Sequence, residues 1–207
     1  MSREKLLTAL TCGNCGSDLE GGGSALVYVC RNCKRAVFMK APDKPYALRF
    51  LKPVLDRKSP LLYAPFWRCT GKLKLRAEDP RRLKPYAKVK PLGPLYFPAF
   101  WNMRLAYFDN LTLRYAQMDA GTFVFDDAAD SRLMDGIRDP LVIPEMARLT
   151  WLAYLDRYSD VTGVTADFEA QRPVYTAVPF FKDGDSFVDG LCGVRLPSGF
   201  FSEADGR

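Results

Sequence analysis

Four cysteines set the strongest constraint on this chain: Cys12-Gly13-Asn14-Cys15 and Cys30-Arg31-Asn32-Cys33 form two Cys-x-x-Cys pairs with fourteen residues between them. A tetrahedral four-thiolate site needs two such pairs, because a tight turn lets both sulfurs of a pair reach one ion while backbone amides point at them. Gly16, directly after the first pair, supplies the left-handed backbone that such a knuckle often requires, and Lys34 holds the matching place after the second. Between the pairs, Glu20-Gly21-Gly22-Gly23-Ser24 forms a loose hairpin tip, and Ala25 to Val29 and Ala36 to Met39 are expected as two short strands. Such a hairpin has almost no core of its own, so the metal would hold it together.

A redox dithiol calls for one Cys-x-x-Cys inside a βαβ pattern, not two in a Gly-rich hairpin. Structural disulfides are disfavoured by the two remaining cysteines, Cys69 and Cys192, which stand far apart in apolar sequence. Zinc is therefore the expected ion, with iron in a rubredoxin-like site as the alternative that the same thiolates could hold. Either ion would be closed off by four protein ligands, hence structural rather than catalytic. The segment from Thr11 to Met39 resembles the four-cysteine zinc-ribbon domain found at the start of many uncharacterised bacterial proteins, and in transcription factors and RNA polymerase subunits. The resemblance covers under a fifth of the chain. It implies a metal-held fold and is compatible with nucleic-acid binding, protein docking or plain stapling.

The 207 residues divide by composition into a ribbon over 1–41, a Pro-rich linker over 42–60 and a domain over 61–207 that is long enough to bury a real core. Pro42, Pro45, Pro53 and Pro60 punctuate the linker, yet Tyr46, Leu48 and Phe50 alternate with Ala47 and Arg49, so a short extended piece should lie against the body. No apolar run approaches the roughly 18 residues of a membrane span. Arg3, Glu4 and Lys5 precede only a short apolar run, and a cytoplasmic protein without a transmembrane segment is expected.

The chain contains no histidine. That removes the commonest general base, the Ser-His-Asp and Cys-His arrangements and every His-containing metal site. Neither a GxxxxGK[ST] loop nor a GxGxxG turn is present. The densest carboxylates, Asp126, Asp127, Asp130, Asp135 and Asp139, could bind a hard cation, but their spacing matches no EF-hand loop and suits solvated loops and helix starts. A non-enzymatic protein is expected, with a carboxylate-dependent enzyme as a weaker alternative.

Charge is divided unevenly: residues 1–104 sum to +14 and the remainder to −8. Arg81, Arg82, Lys84, Lys88 and Lys90 surround Tyr86 in ten residues, a pattern that could grip phosphates or serve as a solvated loop. The opposite signs of the two halves suggest a contact between them, either within one molecule or, as the four prolines of the 42–60 linker favour, through self-association or a protein partner.

Leu62 to Arg68, Leu95 to Asn102 and Val174 to Phe181 echo one another as Pro-aromatic phrases, each opening a β segment. Proline blocks a ladder donor, so Pro65, Pro98 and Pro179 should sit at edges, strand starts or bulges. Alternation predicts strands over 69–76, 103–108 and 111–116, with Asp109-Asn110 as a hairpin turn. Phe66, Trp67, Phe97, Phe100 and Trp101 suit a core, or alternatively an exposed docking edge. Pro144-Glu145 starts a helix with Met146, Leu149, Leu152, Ala153 and Leu155 as its apolar face and Gly163 as its stop. The fold class is thus α+β: a small four-cysteine ribbon followed by a mainly antiparallel β domain with one principal helix. The expected function is a zinc-binding adaptor or assembly component that meets a protein partner through the ribbon and through Phe66, Trp67, Phe100 and Trp101. The alternative is a nucleic-acid binder that uses the basic stretch.

Overall fold

The structure, a computed structural model, describes residues 10–22, 25–58, 61–100, 105–126 and 133–201. Ten strands are described: β1 (Val27–Cys30), β2 (Arg35–Phe38), β3 (Tyr46–Phe50), β4 (Leu61–Cys69), β5 (Gly71–Ala77), β6 (Leu95–Pro98), β7 (Val164–Ala170), β8 (Val174–Asp183), β9 (Ser186–Asp189) and β10 (Arg195–Pro197). Between β6 and β7 run the helices α1 (Leu105–Gln117) and α2 (Ile143–Asp156). The expected α+β class with mainly antiparallel pairing is what forms.

β8 is the centre of the main sheet, whose order is β1-β2-β3-β8-β4-β6. Seven consecutive β8 residues, Tyr175 to Phe181, are buried, as a strand covered on both faces must be. One edge of β8 pairs with β4 throughout; the other pairs first with β3, in parallel from Tyr175 to Ala177, and then with β9 from Phe180 onward. Pro179 sits at this handover, and its carbonyl accepts from Gly190 N at 2.8 Å, so its missing N–H falls where neither β3 nor β9 needs a donor. Pro65 is placed alike: its carbonyl takes Ala99 N at 2.8 Å, just past the end of β6 at Pro98. The prolines therefore interrupt the sheet only where a neighbouring strand starts or stops.

The two faces of the sheet build two cores. On one, Trp67, Tyr175 and Tyr63 pack with Ile143, Ala147 and Trp151 of α2. On the other, Phe66, Tyr96 and Phe180 pack with Leu111 and Tyr115 of α1. β5 and β7 form a separate two-stranded ribbon, and α2 packs against β7.

Two expectations about this region change. The stretch expected as strands over 103–116 is helical from Leu105 onward, and Asp109-Asn110 lies inside α1 rather than in a hairpin turn. Leu111, Thr112, Leu113, Tyr115 and Ala116 are all buried and only Arg114 points out, so alternation could not separate a strand from a helix there. Leu and Ala, which recur in this stretch, and the single Arg114 and Gln117 favour the helix. α2 starts at the expected Pro144-Glu145, but its buried face is Ile143, Ala147, Trp151, Tyr154 and Leu155, while Leu149 and Ala153 point to solvent. The tail from Glu203 lies outside the described residues.

The segment over 42–60 contains β3, whose buried Tyr46, Leu48 and Phe50 match the expected alternation. β2 pairs with β3 and β3 with β8, so the cysteine hairpin β1–β2 continues the main sheet.

Candidate metal centre

The two knuckles are built alike. In the first, Cys12 O accepts from Cys15 N (3.2 Å) and Gly16 N (2.8 Å), and Cys12 N donates to Ser17 O (2.7 Å). In the second, Cys30 ends β1 and Cys33 lies in the turn before β2. The residue after each pair is left-handed: Gly16 at φ 73° and Lys34 at φ 53°, the one non-glycine with positive φ among the described residues. Asn32 Nδ2 donates to Ser17 Oγ at 3.0 Å and joins the knuckles, while Arg31 Nε meets a Glu20 carboxylate oxygen at 3.0 Å.

The four Sγ atoms all lie within 4.8 Å of one another. Cys12 and Cys33 approach to 3.5 Å and Cys15 and Cys30 to 3.4 Å. A disulfide would need about 2.05 Å, whereas a tetrahedron with metal–sulfur bonds of about 2.3 Å has edges of about 3.8 Å. The spacing therefore fits one ion shared by four thiolates. Cys12 and Cys30 are buried, Cys33 is half-buried and Cys15 is exposed. The Ser17 hydroxyl and amide hold the Cys15 thiol down to about 6, and burial, aided by the Cys12 thiol, pushes Cys33 up to about 12. Burial also raises Cys30. Cys69 is buried in a core, and Cys192 lies beside Asp189; neither joins the cluster.

The ribbon is fastened to the body by the segment 133–139. Leu26 N and Val27 N donate to Gly136 O at 2.8 and 2.9 Å, Gly22 N donates to Asp135 Oδ1 at 2.9 Å, and Lys40 pairs with Asp139 at 3.2 Å. Met134 N in turn donates to Tyr63 O, and Ile137 N and Arg138 N to Ala99 O. Two of the acids singled out by sequence thus hold the ribbon. Asp139 also caps the turn before α2 by accepting from Leu141 N at 2.9 Å. Asp126 lies beside β3, its amide donating to Phe50 O, and Asp127 and Asp130 lie outside the described residues. Among the described residues, only the cysteines form a cluster that could hold an ion.

Phe66, Trp67 and Phe100 are core residues, exposed by 1%, 0% and 2%, and Trp67 Nε1 donates to Arg138 O at 3.0 Å. Trp101 lies outside the described residues. The basic stretch forms a 3-10 helix, Pro80–Lys88, started by Asp79, which accepts from Arg81 N. Arg81, Arg82, Lys84, Lys88 and Lys90 are all exposed. Arg82 donates to Thr162 O, and the Tyr86 hydroxyl reaches Ser159 O and Asp160 O at 3.1 and 2.9 Å. The helix is thereby anchored to the turn after α2. Ion pairs also cross between the basic and acidic halves of the chain: Lys40–Asp139, Arg57–Asp183, Lys74–Glu169 and Arg76–Asp167. Part of the charge asymmetry is thus neutralised within one molecule.

Sequence reasoning missed a buried polar cluster. The Asp189 carboxylate accepts from Tyr115 Oη (2.5 Å), from Leu191 N (3.2 Å) and Cys192 N (2.7 Å), and from Cys192 Sγ (2.9 Å). These bonds pin α1 to the loop between β9 and β10, and the carboxylate helps push the Cys192 thiol up to about 12, behind burial as the larger cause. The only local signal was the Asp189-Gly190 and Gly193 turn chemistry.

No protein-family model, curated protein or solved structure matches the chain. No described helix is long and apolar enough to cross a membrane.

Proposed function

We propose that the chain is a non-enzymatic adaptor or assembly component in which Cys12, Cys15, Cys30 and Cys33 hold a structural zinc ion. The all-thiolate donor set and its near-tetrahedral spacing support zinc, with four protein ligands leaving no open position for substrate. One observation carries the adaptor reading: an apolar stripe at the start and along the outer face of α2 is exposed, Leu141 by 73%, Val142 by 47% and Leu149 by 51%. It lies beside the ribbon, because the Lys40–Asp139 pair ties the end of the cysteine hairpin, with half-open Met39, to the turn that starts α2. The Glu145–Arg148 pair borders the stripe, so the matching partner is a protein surface with an apolar centre and a polar rim. Of the core rings, Trp67 backs this surface from beneath α2, whereas Phe66 and Phe100 lie in the core on the opposite face of the sheet.

The test compares affinity capture from native extract by the metal-loaded wild type and by a Leu141→Asp/Leu149→Asp variant. Both positions are exposed, so the fold should survive. A protein held by the wild type and lost by the variant supports the reading; no captured protein, or equal capture by both, contradicts it. A nucleic-acid reading draws on five exposed cations, four in the 3-10 helix and Lys90 just beyond it. It would be favoured if nucleic acid copurified and was lost on replacing Arg81, Arg82, Lys84, Lys88 and Lys90.

A further inference from the structure

A 3-10 helix has three residues per turn, so positions three apart fall in one row along it. In Pro80–Lys88 one row turns inward: Tyr86 is buried, and Leu83 and Val89, the residue just past the end, are half-buried. Arg81 and Lys84 form one outward row, Arg82 and Lys88 the other, and Lys90 follows beyond the helix. Cations from other parts of the basic half are paired within the molecule, Lys40, Arg57, Lys74 and Arg76 among them. Among the described residues, no ion pair involves Arg81, Arg82, Lys84, Lys88 or Lys90. Arg82 gives one N–H to Thr162 O, and three flanking acids are turned to backbone amides: Asp79 to Arg81 N, Asp156 to Val161 N and Asp160 to Thr162 N.

A tyrosine stands beside these cations. Tyr158, just past the end of α2, is 55% exposed. Its hydroxyl lies 3.1 Å from that of Tyr154, whose ring meets it edge-on at 5.4 Å and whose hydroxyl also donates to Lys90 O at 3.3 Å. The carbonyl of the next residue, Ser159, holds the hydroxyl of Tyr86 from the 3-10 helix at 3.1 Å. The exposed ring is thus fixed next to the last cations of the stretch.

Exposed cations in rows suit a chain of phosphates, and a fixed aromatic ring beside them suits an unpaired base, since stacking works on the face of any base. A duplex hides its base faces, so Tyr158 would add little there. A lipid surface calls for large apolar side chains among the cations, and the outward rows hold only Pro85 and Ala87 besides. We propose that the 3-10 helix and Tyr158 form a binding surface for single-stranded nucleic acid, with phosphates on Arg81, Lys84, Lys88 and Lys90 and a base stacked on Tyr158. This surface rests on the nucleic-acid reading and narrows it to single strands. It is independent of the adaptor reading, because it lies at the end of α2 away from Leu141 and Val142 and uses no ribbon residue.

The test follows the fluorescence anisotropy of labelled oligothymidylate and, separately, oligouridylate with the metal-loaded full chain across a salt series, beside a DNA duplex of equal length. At least one of the single strands should bind about tenfold more tightly than the duplex. Lys84→Gln/Lys88→Gln should flatten the slope of log affinity against log salt by about 1.4, at about 0.7 per phosphate contact. Tyr158→Ala should weaken single-strand binding about tenfold with that slope unchanged, whereas Tyr158→Phe, which keeps the ring, should bind as wild type does. All three positions are exposed, so the fold should survive. Binding to neither single strand nor duplex, or to phosphatidylserine vesicles alone, would overturn this surface and the nucleic-acid reading together. Equal affinity for duplex and single strand, or undiminished binding by Tyr158→Ala, would overturn single-strand recognition while leaving the basic stretch as a contact for phosphates.

Discussion

Replacing Gly136 with alanine would place a methyl carbon 1.9 Å from the Tyr175 hydroxyl oxygen, 2.9 Å from its ring carbon Cζ and 3.2 Å from Val27 Cβ. None of these neighbours can withdraw easily. Tyr175 is fully buried with its ring 4.8 Å from that of Trp67, and Val27 is a β1 core residue. The segment 133–139 must move instead, which strains or breaks the bonds from Leu26 N and Val27 N to Gly136 O. Overpacking costs about 1–3 kcal/mol and two backbone hydrogen bonds about 1 kcal/mol each, so a loss of about 3–5 kcal/mol is expected. At about 2–4 °C per kcal/mol for a chain of this size, melting should fall by at least about 6 °C. Tyr175→Phe supplies the control. Its hydroxyl has no partner, so the single variant should be neutral or slightly stabilising, and in the double variant the closest contact relaxes to the ring. Urea unfolding of all four proteins gives the coupling, expected at about 1–2 kcal/mol in favour of the double variant. A Gly136→Ala protein as stable as wild type, or strictly additive effects, would refute the idea that ribbon docking depends on this close approach.

Lys34→Gly should stabilise the metal-loaded protein by about 1 kcal/mol in urea unfolding, since a left-handed conformation costs a lysine about that much and a glycine almost nothing. Asp189→Ala should cost about 3 kcal/mol or more because it strands the Tyr115 hydroxyl and two loop amides, whereas Cys192→Ser, which keeps a donor to the carboxylate, should cost far less in the same assay. Sedimentation across a salt series should show one unchanging species, because cross-half ion pairs such as Lys40–Asp139 and Arg57–Asp183 are satisfied within the chain; association that appears only at low salt would mean that the charge halves meet between molecules.

The metal centre is the most legible part of the molecule, because its geometry is local. Cys-x-x-Cys spacing fixes the sulfurs, and the residue after each pair is the one that turns left-handed, Gly16 as readily as Lys34 reluctantly. β3 was equally readable from Tyr46, Leu48 and Phe50, but the identity of its neighbour was not. Parallel pairing with β8 is set by packing over a long sequence separation, and nothing local to either strand encodes it. Proline positions carried partial information: Pro65 and Pro179 announce a gap in a ladder without saying which strands meet there. In α1 the signal failed over Leu111 to Ala116, where burial of every residue but Arg114 satisfied both periods at once. Asp135 stood out only as one of a run of acids, with no sign of its bond to Gly22, and Gly136 and Asp189 did not stand out at all, since each owes its role to atoms brought from distant parts of the chain.

Elemental analysis of the purified, untagged protein is the most direct measurement, made on wild type, Cys15→Ser, Cys69→Ser and Cys192→Ser. One zinc per chain should be found in wild type and in the last two variants, and Cys15→Ser should lose it or hold it weakly enough for a mild chelator to strip it. A wild-type protein without metal, one loaded with iron, or a Cys15→Ser protein that retains zinc as firmly as wild type would contradict a zinc ion held by Cys12, Cys15, Cys30 and Cys33.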